Sequence, residues 1–306
     1  MNDQAPTLRL IVSNNSPLPE PLNPMTFNDD ETQLNITKPH RCIAIAGGKG
    51  GVGKSNVAVN LALELGKLLN QVALIDADFG LANVDLLCGI SPKFHLGHVA
   101  AEVKTIEEIT IMLNENVRLI PGGSGIEELA NLPPKQRTAI FSKLAVIEKN
   151  VDFMLIDTSA GIAKNVTSVL LSAAEVLVVV TPEPTSIVDA YATIKTIVRH
   201  NPEKSISLVV NNVVGIGDAE KVFQQINAAA RSFLKRTIEF LGMIPYDSRL
   251  VEAVREQTPI VQYAPESPAS RAFRLLAKQF HYQVKQGAPF PIQKQSFWQL
   301  LTENNQ

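Results

Sequence analysis

The stretch "GGKGGVGKS", residues 47–55, follows the apolar run "CIAIA" and leads straight into the helical pattern "NVAVNLALELGKLL". Gly48, four residues, Gly53, Lys54 and Ser55 make the frame of a phosphate-binding loop, set between a strand and a helix as that frame requires. Gly48, Gly50, Gly51 and Gly53, with Lys49 and Val52 between them, let backbone N–H groups close around phosphate oxygens. The helix start at Lys54, Ser55 and Asn56 adds its positive end. The Lys54 ammonium is placed to reach the β and γ oxygens, and the Ser55 hydroxyl to join Mg²⁺. The chemistry expected of this stretch is binding of a nucleoside triphosphate with its metal ion.

Such a site also needs carboxylates, and two close apolar strands: Asp76 ends "VALID" and Asp157 ends "DFMLID". A carboxylate in that position either approaches Mg²⁺ or caps the next helix, and the loop upstream favours the first.

The surrounding pattern supplies the scaffold. Short apolar strands, predicted at 42–46, 72–76, 117–121, 152–157, 175–180, 206–212 and 240–245, alternate with amphipathic segments of helical length. That alternation predicts an α/β fold, doubly wound, with a mostly parallel sheet and helices on both faces. The last long helix is expected at 266–284. A chain of 306 residues with 45% apolar content can bury a full core around one such domain, here 41–284. Residues 13–40, with Pro17, Pro19, Pro21, Pro24 and Pro39 among Ser, Asn and Asp, read as a proline-rich linker.

A net charge of -2, with no one-sided basic stripe on the helices after residue 217, argues against direct DNA binding. Cys42 and Cys88 lie in apolar patterns without metal-ligand spacing, so both are expected as reduced thiols of a cytoplasmic protein. No run of eighteen apolar residues suggests a membrane span.

A second lysine inside the loop, Lys49, is not required by the phosphate-binding frame. "KGGVGKS" resembles the KGGxGK[ST] loop of the MinD and ParA ATPases residue for residue. That resemblance implies ATP and Mg²⁺ as ligands, hydrolysis to ADP and phosphate, and an ATP-bound homodimer into whose partner site Lys49 crosses. It further implies that Ser55, Asp76 and Asp157 serve the metal, Asp76 through water, and that Asp78 orients the attacking water. Gly161, in "LIDTSAGI", becomes the switch II amide near the γ-phosphate. Asn211, in "LVVNN", becomes the adenine reader, with the turn at Pro245 as the other wall of the base pocket. Glu183 and Asp189, in "TPEPTSIVDAY", become contacts to the partner subunit, although Glu183 equally suits a helix cap. The iron–sulfur carriers of the same group need cysteines that this chain lacks.

Within the group, "GLANVDLLCGI", "LIPGGSGIEELANL", "IDTSAGI" and "VTPEPTSIVDAYATIK" resemble the FlhG/FleN regulators of flagellar number and placement. "DQAPTLR" fits their N-terminal DQAxxLR pattern, which in that family stimulates an FlhF-like GTPase. Residues 1–12 are therefore expected to be an effector peptide, with Asp3, Gln4, Leu8 and Arg9 contacting the partner. Pro6 departs from the helix this segment should form, since it disfavours a helical Ala5. Flagellar C-ring proteins and a flagellar transcription activator are the further partners the resemblance implies. For the tail, 285–306, two readings stand. Phe297, Leu300 and Leu301 share one face with Trp298 at its edge, which suits an amphipathic helix at the inner membrane surface or one packed on its own domain. A MinD-type division-site ATPase, or a module that sequesters an activator with little turnover, would carry the same loop and carboxylates.

Overall fold

A computed structural model describes residues 40–78, 83–122, 134–285, 291 and 295–304. The effector peptide, the linker up to Pro39, and parts of the "GLANVDLLCGI" and "LIPGGSGIEELANL" blocks, residues 80–82 and 123–132, lie outside the described residues.

Eight strands form one sheet: β1 Arg41–Ala46, β2 Val72–Ala77, β3 Ile111–Met112, β4 Val117–Ile120, β5 Phe153–Thr158, β6 Glu175–Val180, β7 Ser205–Val213 and β8 Glu239–Pro245. Their spatial order is β3-β4-β2-β5-β1-β6-β7-β8. Every pairing is parallel except that of β3 with β4. The seven predicted strands are all present. The two-residue β3 was not anticipated, because Ile111 and Met112 are too few to show a period.

The central strands are apolar at nearly every position because helices cover both faces. Side chains alternate between two cores. On one face Ile43, Ile45, Leu74, Leu155, Leu177 and Val209 meet helices Lys54–Lys67 and Pro268–Lys285. On the other Ala44, Ile75, Ile156, Val178 and Val210 meet helices Lys164–Ser172 and Pro184–His200. Among the described residues no helix is long and apolar enough to cross a membrane.

The tail contributes to the second core. Helix Phe297–Asn304 packs on helices Lys164–Ser172 and Pro134–Lys149, and Phe297, Trp298 and Leu301 are buried. Its apolar face is rotated from the sequence expectation: Trp298 lies inside, against Phe297, and Leu300 is only half-buried. Glu148, itself buried, anchors the helix start. Its carboxylate accepts from the Ser296 hydroxyl at 2.6 Å and the Phe297 N–H at 3.0 Å, and the His40 ring nitrogen lies 3.0 Å away. At the far end Ser168 donates to the Asn304 carbonyl and the Asn304 amide to Ser172.

Candidate nucleotide site

Strand β1 sits mid-sheet, beside the point where the strand order turns outward in both directions, and its C-terminal end is where such sheets bind ligands. The loop leaves there and enters helix Lys54–Lys67 through Gly53, whose φ of 96° is left-handed and suits glycine. At Gly48 a Cβ would lie 2.2 Å from the Asp189 carbonyl carbon, so only glycine lets the loop lie against helix Pro184–His200. Asp189 thus backs the loop of its own chain.

Asn211 reaches the loop from β7, donating from Nδ2 to the Val52 carbonyl at 2.8 Å. Besides any contact with a base, it braces the loop. Register sets Asn211 opposite Ile244 and Val213 opposite Pro245, so the two expected pocket residues end neighbouring strands.

The carboxylates meet where β2, β5 and β1 run side by side. Asp157 pairs in register with Asp76 on one side and Ile45 on the other. It is fully buried, and among the described residues neither of its oxygens has a close hydrogen-bond donor, the Ser55 hydroxyl lying nearby. Burial, above all, raises its pKa to about 7, with Asp76 adding to the rise while the nearby Ser55 hydroxyl and Lys54 oppose it. Asp76 is pushed up to about 6, again chiefly by burial, against N–H donors at Asp78 (3.0 Å) and Val84 (3.4 Å). Lys54 is buried too, and loss of water lowers its pKa despite Asp157 and Asp78. Two facing carboxylates, one without donors, with a serine hydroxyl beside them, fit a hard cation. Mg²⁺ held largely by phosphates needs only one or two protein carboxylates.

Asp78 follows β2, and its Oδ1 accepts from the Ser159 hydroxyl at 2.7 Å. Gly161, at a φ of 93°, donates its N–H to the Gly47 carbonyl at 3.2 Å and ties the segment after β5 to the loop. Lys49 lies at the half-open rim, 2.5 Å from Glu183 Oε2 and 3.2 Å from Thr185 Oγ1 of its own chain. The two residues expected to face a partner are here paired with each other.

Sequence reasoning missed Ser159 and Gly122. A Cβ on Gly122 would come within 1.6 Å of the Asp76 carbonyl oxygen, so the segment after β4 can pass the Asp76 backbone only as glycine. Nothing but the glycine itself signalled that approach. Ser159 was legible only once the register of β2 against β5 was known.

A family described as ParA, NUBPL iron-transfer P-loop NTPase, matches residues 38–281, which span the loop and all three aspartates. The chain belongs to the MinD/ParA family of P-loop NTPases. Iron transfer is that description's own term. Among the described residues of this MinD/ParA chain, no group of three or more His, Cys, Asp or Glu could hold a metal ion. Antiactivator FleN of Pseudomonas aeruginosa is 38% identical over 246 residues, covering 80% of this chain and 88% of FleN. Flagellum site-determining protein YlxH of Helicobacter pylori is 30% identical over 267 residues, 87% and 88% of the two chains. The septum site-determining protein MinD of Pyrococcus horikoshii, solved with Mg-ADP, superposes with a TM-score of 0.65 at 26% identity. That alignment covers 82% of this chain and all of that one. These relatives mark the chain as a MinD/ParA-type ATPase regulator of the FleN/FlhG branch.

Proposed function

We propose that this chain hydrolyses ATP to ADP and phosphate, forms a homodimer with ATP and Mg²⁺, and sets flagellar number and placement. The observation that carries the reading is the joint one: an antiactivator and a flagellum site-determining protein align along most of the chain, and residues 38–281, matched by the family, contain a full phosphate loop with its carboxylates. Lys54 and the amides of residues 48–56 hold the phosphates. Ser55, Asp76 and Asp157 would hold Mg²⁺, Asp76 through water. Bound there, Mg²⁺ would supply positive charge to the phosphate oxygens. Asp78 orients the attacking water, the Gly161 N–H supports the γ-phosphate, and Asn211 and Pro245 flank the base. Lys49 exchanges Glu183 for the partner subunit's nucleotide.

Phosphate release by the purified chain, lost in Lys54→Ala, tests the enzymatic half. A deletion strain tests the biological half: altered flagellar number with septa in place is expected. Displaced septa with normal flagella would favour the second reading, a MinD-type division-site role, which the likeness to the Pyrococcus MinD supports. Altered flagellar number, with ATP bound by the purified chain but not turned over, would leave a module that sequesters a flagellar transcription activator. The FleN relative's name, antiactivator, supports an activator as one partner, which we read as a flagellar transcription activator; flagellar C-ring proteins are proposed from the sequence resemblance alone.

Residues 1–12 we read as a detachable effector for an FlhF-like GTPase, carried on the linker 13–40 ahead of the ATPase domain 41–284. A glutamine supplied to a GTPase site can orient the hydrolytic water. Gln4 takes that role, Leu8 anchors the peptide, and Asp3 and Arg9 make polar contacts. A peptide of residues 1–20 should accelerate GTP turnover by the partner, and Gln4→Ala should remove most of the effect. Should the native peptide be inert, recovery in Pro6→Glu would blame a broken helix. Silence in both would refute the effector role. Attachment of the tail 285–306 to the inner face of the cytoplasmic membrane requires Phe297, Trp298, Leu300 and Leu301 to leave the core. ATP-dependent co-sedimentation with anionic liposomes tests it, and its absence would leave the helix a core element.

A further inference from the structure

The parallel register of β2 and β5 sets Asp76 against Asp157 and Ala77 against Thr158. One step on, Asp78 falls beside Ser159, and because side chains alternate along a strand, both lie on the sides already occupied by Asp76 and Asp157. A D-x-D sequence is thus laid against a D-x-S sequence. The contact that results is short: Ser159 Oγ donates to Asp78 Oδ1 at 2.7 Å. The other Asp78 oxygen has the Asn83 amide at 3.4 Å, and the Asp78 N–H donates to Asp76 Oδ1 at 3.0 Å. The segment carrying Ser159 is itself held, through the Thr158 hydroxyl on the Ile45 carbonyl at 2.9 Å and the Gly161 N–H on Gly47.

We propose that Ser159 is a positioning residue for ATP hydrolysis, fixing the plane of the Asp78 carboxylate and joining the segment after β2 to the segment after β5. The proposal rests on the reading above that Asp78 orients the attacking water. A carboxylate can hold a water in line with a phosphorus atom only while its own torsion is fixed, and small displacements of such a group cost rate steeply. Asp78 stands past the end of its strand, beyond the regular ladder, and beside Asp76 and Asp157. A hydrogen-bond donor on the segment after β5 both restrains it and offsets the crowding of like charge. The serine side chain reaches Asp78 directly at 2.7 Å, and threonine keeps the same hydroxyl.

Steady-state ATP turnover with Mg²⁺, measured on the full chain, tests the assignment. Ser159→Ala should lower kcat about tenfold, the scale of one hydrogen bond to a charged group, with KM for ATP unchanged. Ser159→Thr should keep most of the wild-type kcat. In an Asp78→Ala background, Ser159→Ala should change the residual turnover no further, since it acts only through Asp78. A Ser159→Ala kcat within about twofold of wild type overturns the proposal. So does an equal fall in the Asp78→Ala background, which would mean that Ser159 acts by itself. If the wild-type chain binds ATP but releases no phosphate, every arm is silent. That pattern overturns the hydrolysis reading and this proposal with it.

Discussion

Asp157 is the residue at which the site's electrostatics concentrate. Its pKa is raised in the folded chain, from the ordinary 3.8 to about 7, so between those values the folded state binds more protons than the unfolded one. Stability of the nucleotide-free protein must therefore fall as pH rises from about 4 through about 7 and stay low above it. Asp76, raised to about 6, adds to the fall in the same direction. At about 1.4 kcal/mol per unit, the Asp157 penalty at pH 8 is on the order of 4 kcal/mol as an upper bound. Asp157→Asn keeps the shape and removes the charge. It should raise the apo melting temperature by several degrees at pH 8, flatten the pH dependence between 5 and 8, and abolish tight Mg-nucleotide binding. Thermal melts across pH check it, and a melting temperature lowered at pH 8 would contradict the burial argument. Lys49 and Glu183 are the contrasting case, both part exposed, and such a pair contributes little. The lysine can leave its own chain at small cost. The sequence pointed to each of these residues by type, yet not to the Lys49–Glu183 pairing, because which charges meet depends on where the turn after β6 brings Glu183.

At the scale of elements, the tail helix makes a clear prediction. Phe297, Trp298 and Leu301 are buried, at about 1.5–3 kcal/mol each. Release into water is disfavoured by several kcal/mol, and only lipid or another apolar surface offsets it. Glu148 holds the helix start, and Glu148→Ala leaves the Ser296 hydroxyl and Phe297 N–H without their acceptor. Since Trp298 is the only tryptophan, its emission should shift to longer wavelength in Glu148→Ala, and amides of residues 297–304 should exchange faster. Unchanged emission and exchange would show that the apolar contacts alone hold the helix. This element also marks where the sequence stops being informative. An apolar helical face has the same pattern whether lipid or protein covers it, so the tail's place depended on a groove built by residues far away in the chain. The central strands were legible to within a residue or so, because burial on both faces leaves continuous apolar runs bounded by polar turns. The edge strand β3 was not, since its pairing with β4 and not its own composition makes it a strand.

For the whole molecule, one sheet carries the loop, the Asp76 and Asp157 carboxylates and Asp78 at the C-terminal ends of adjacent strands, while the tail docks on helix Lys164–Ser172, which follows directly from the segment holding Ser159 and Gly161. The central claim is that ATP assembles two such molecules and that hydrolysis separates them. If Asp78 orients the attacking water as proposed, removing its carboxylate should spare the phosphate contacts and trap the assembly. Removing Lys49 should instead prevent it. The most direct measurement is molar mass by size-exclusion chromatography with light scattering, in saturating ATP and Mg²⁺. The account predicts a stable dimer for Asp78→Ala, a monomer for Lys49→Ala, and a wild-type dimer that decays to monomer as ATP is consumed. An Asp78→Ala protein that stays monomeric in saturating ATP would contradict it.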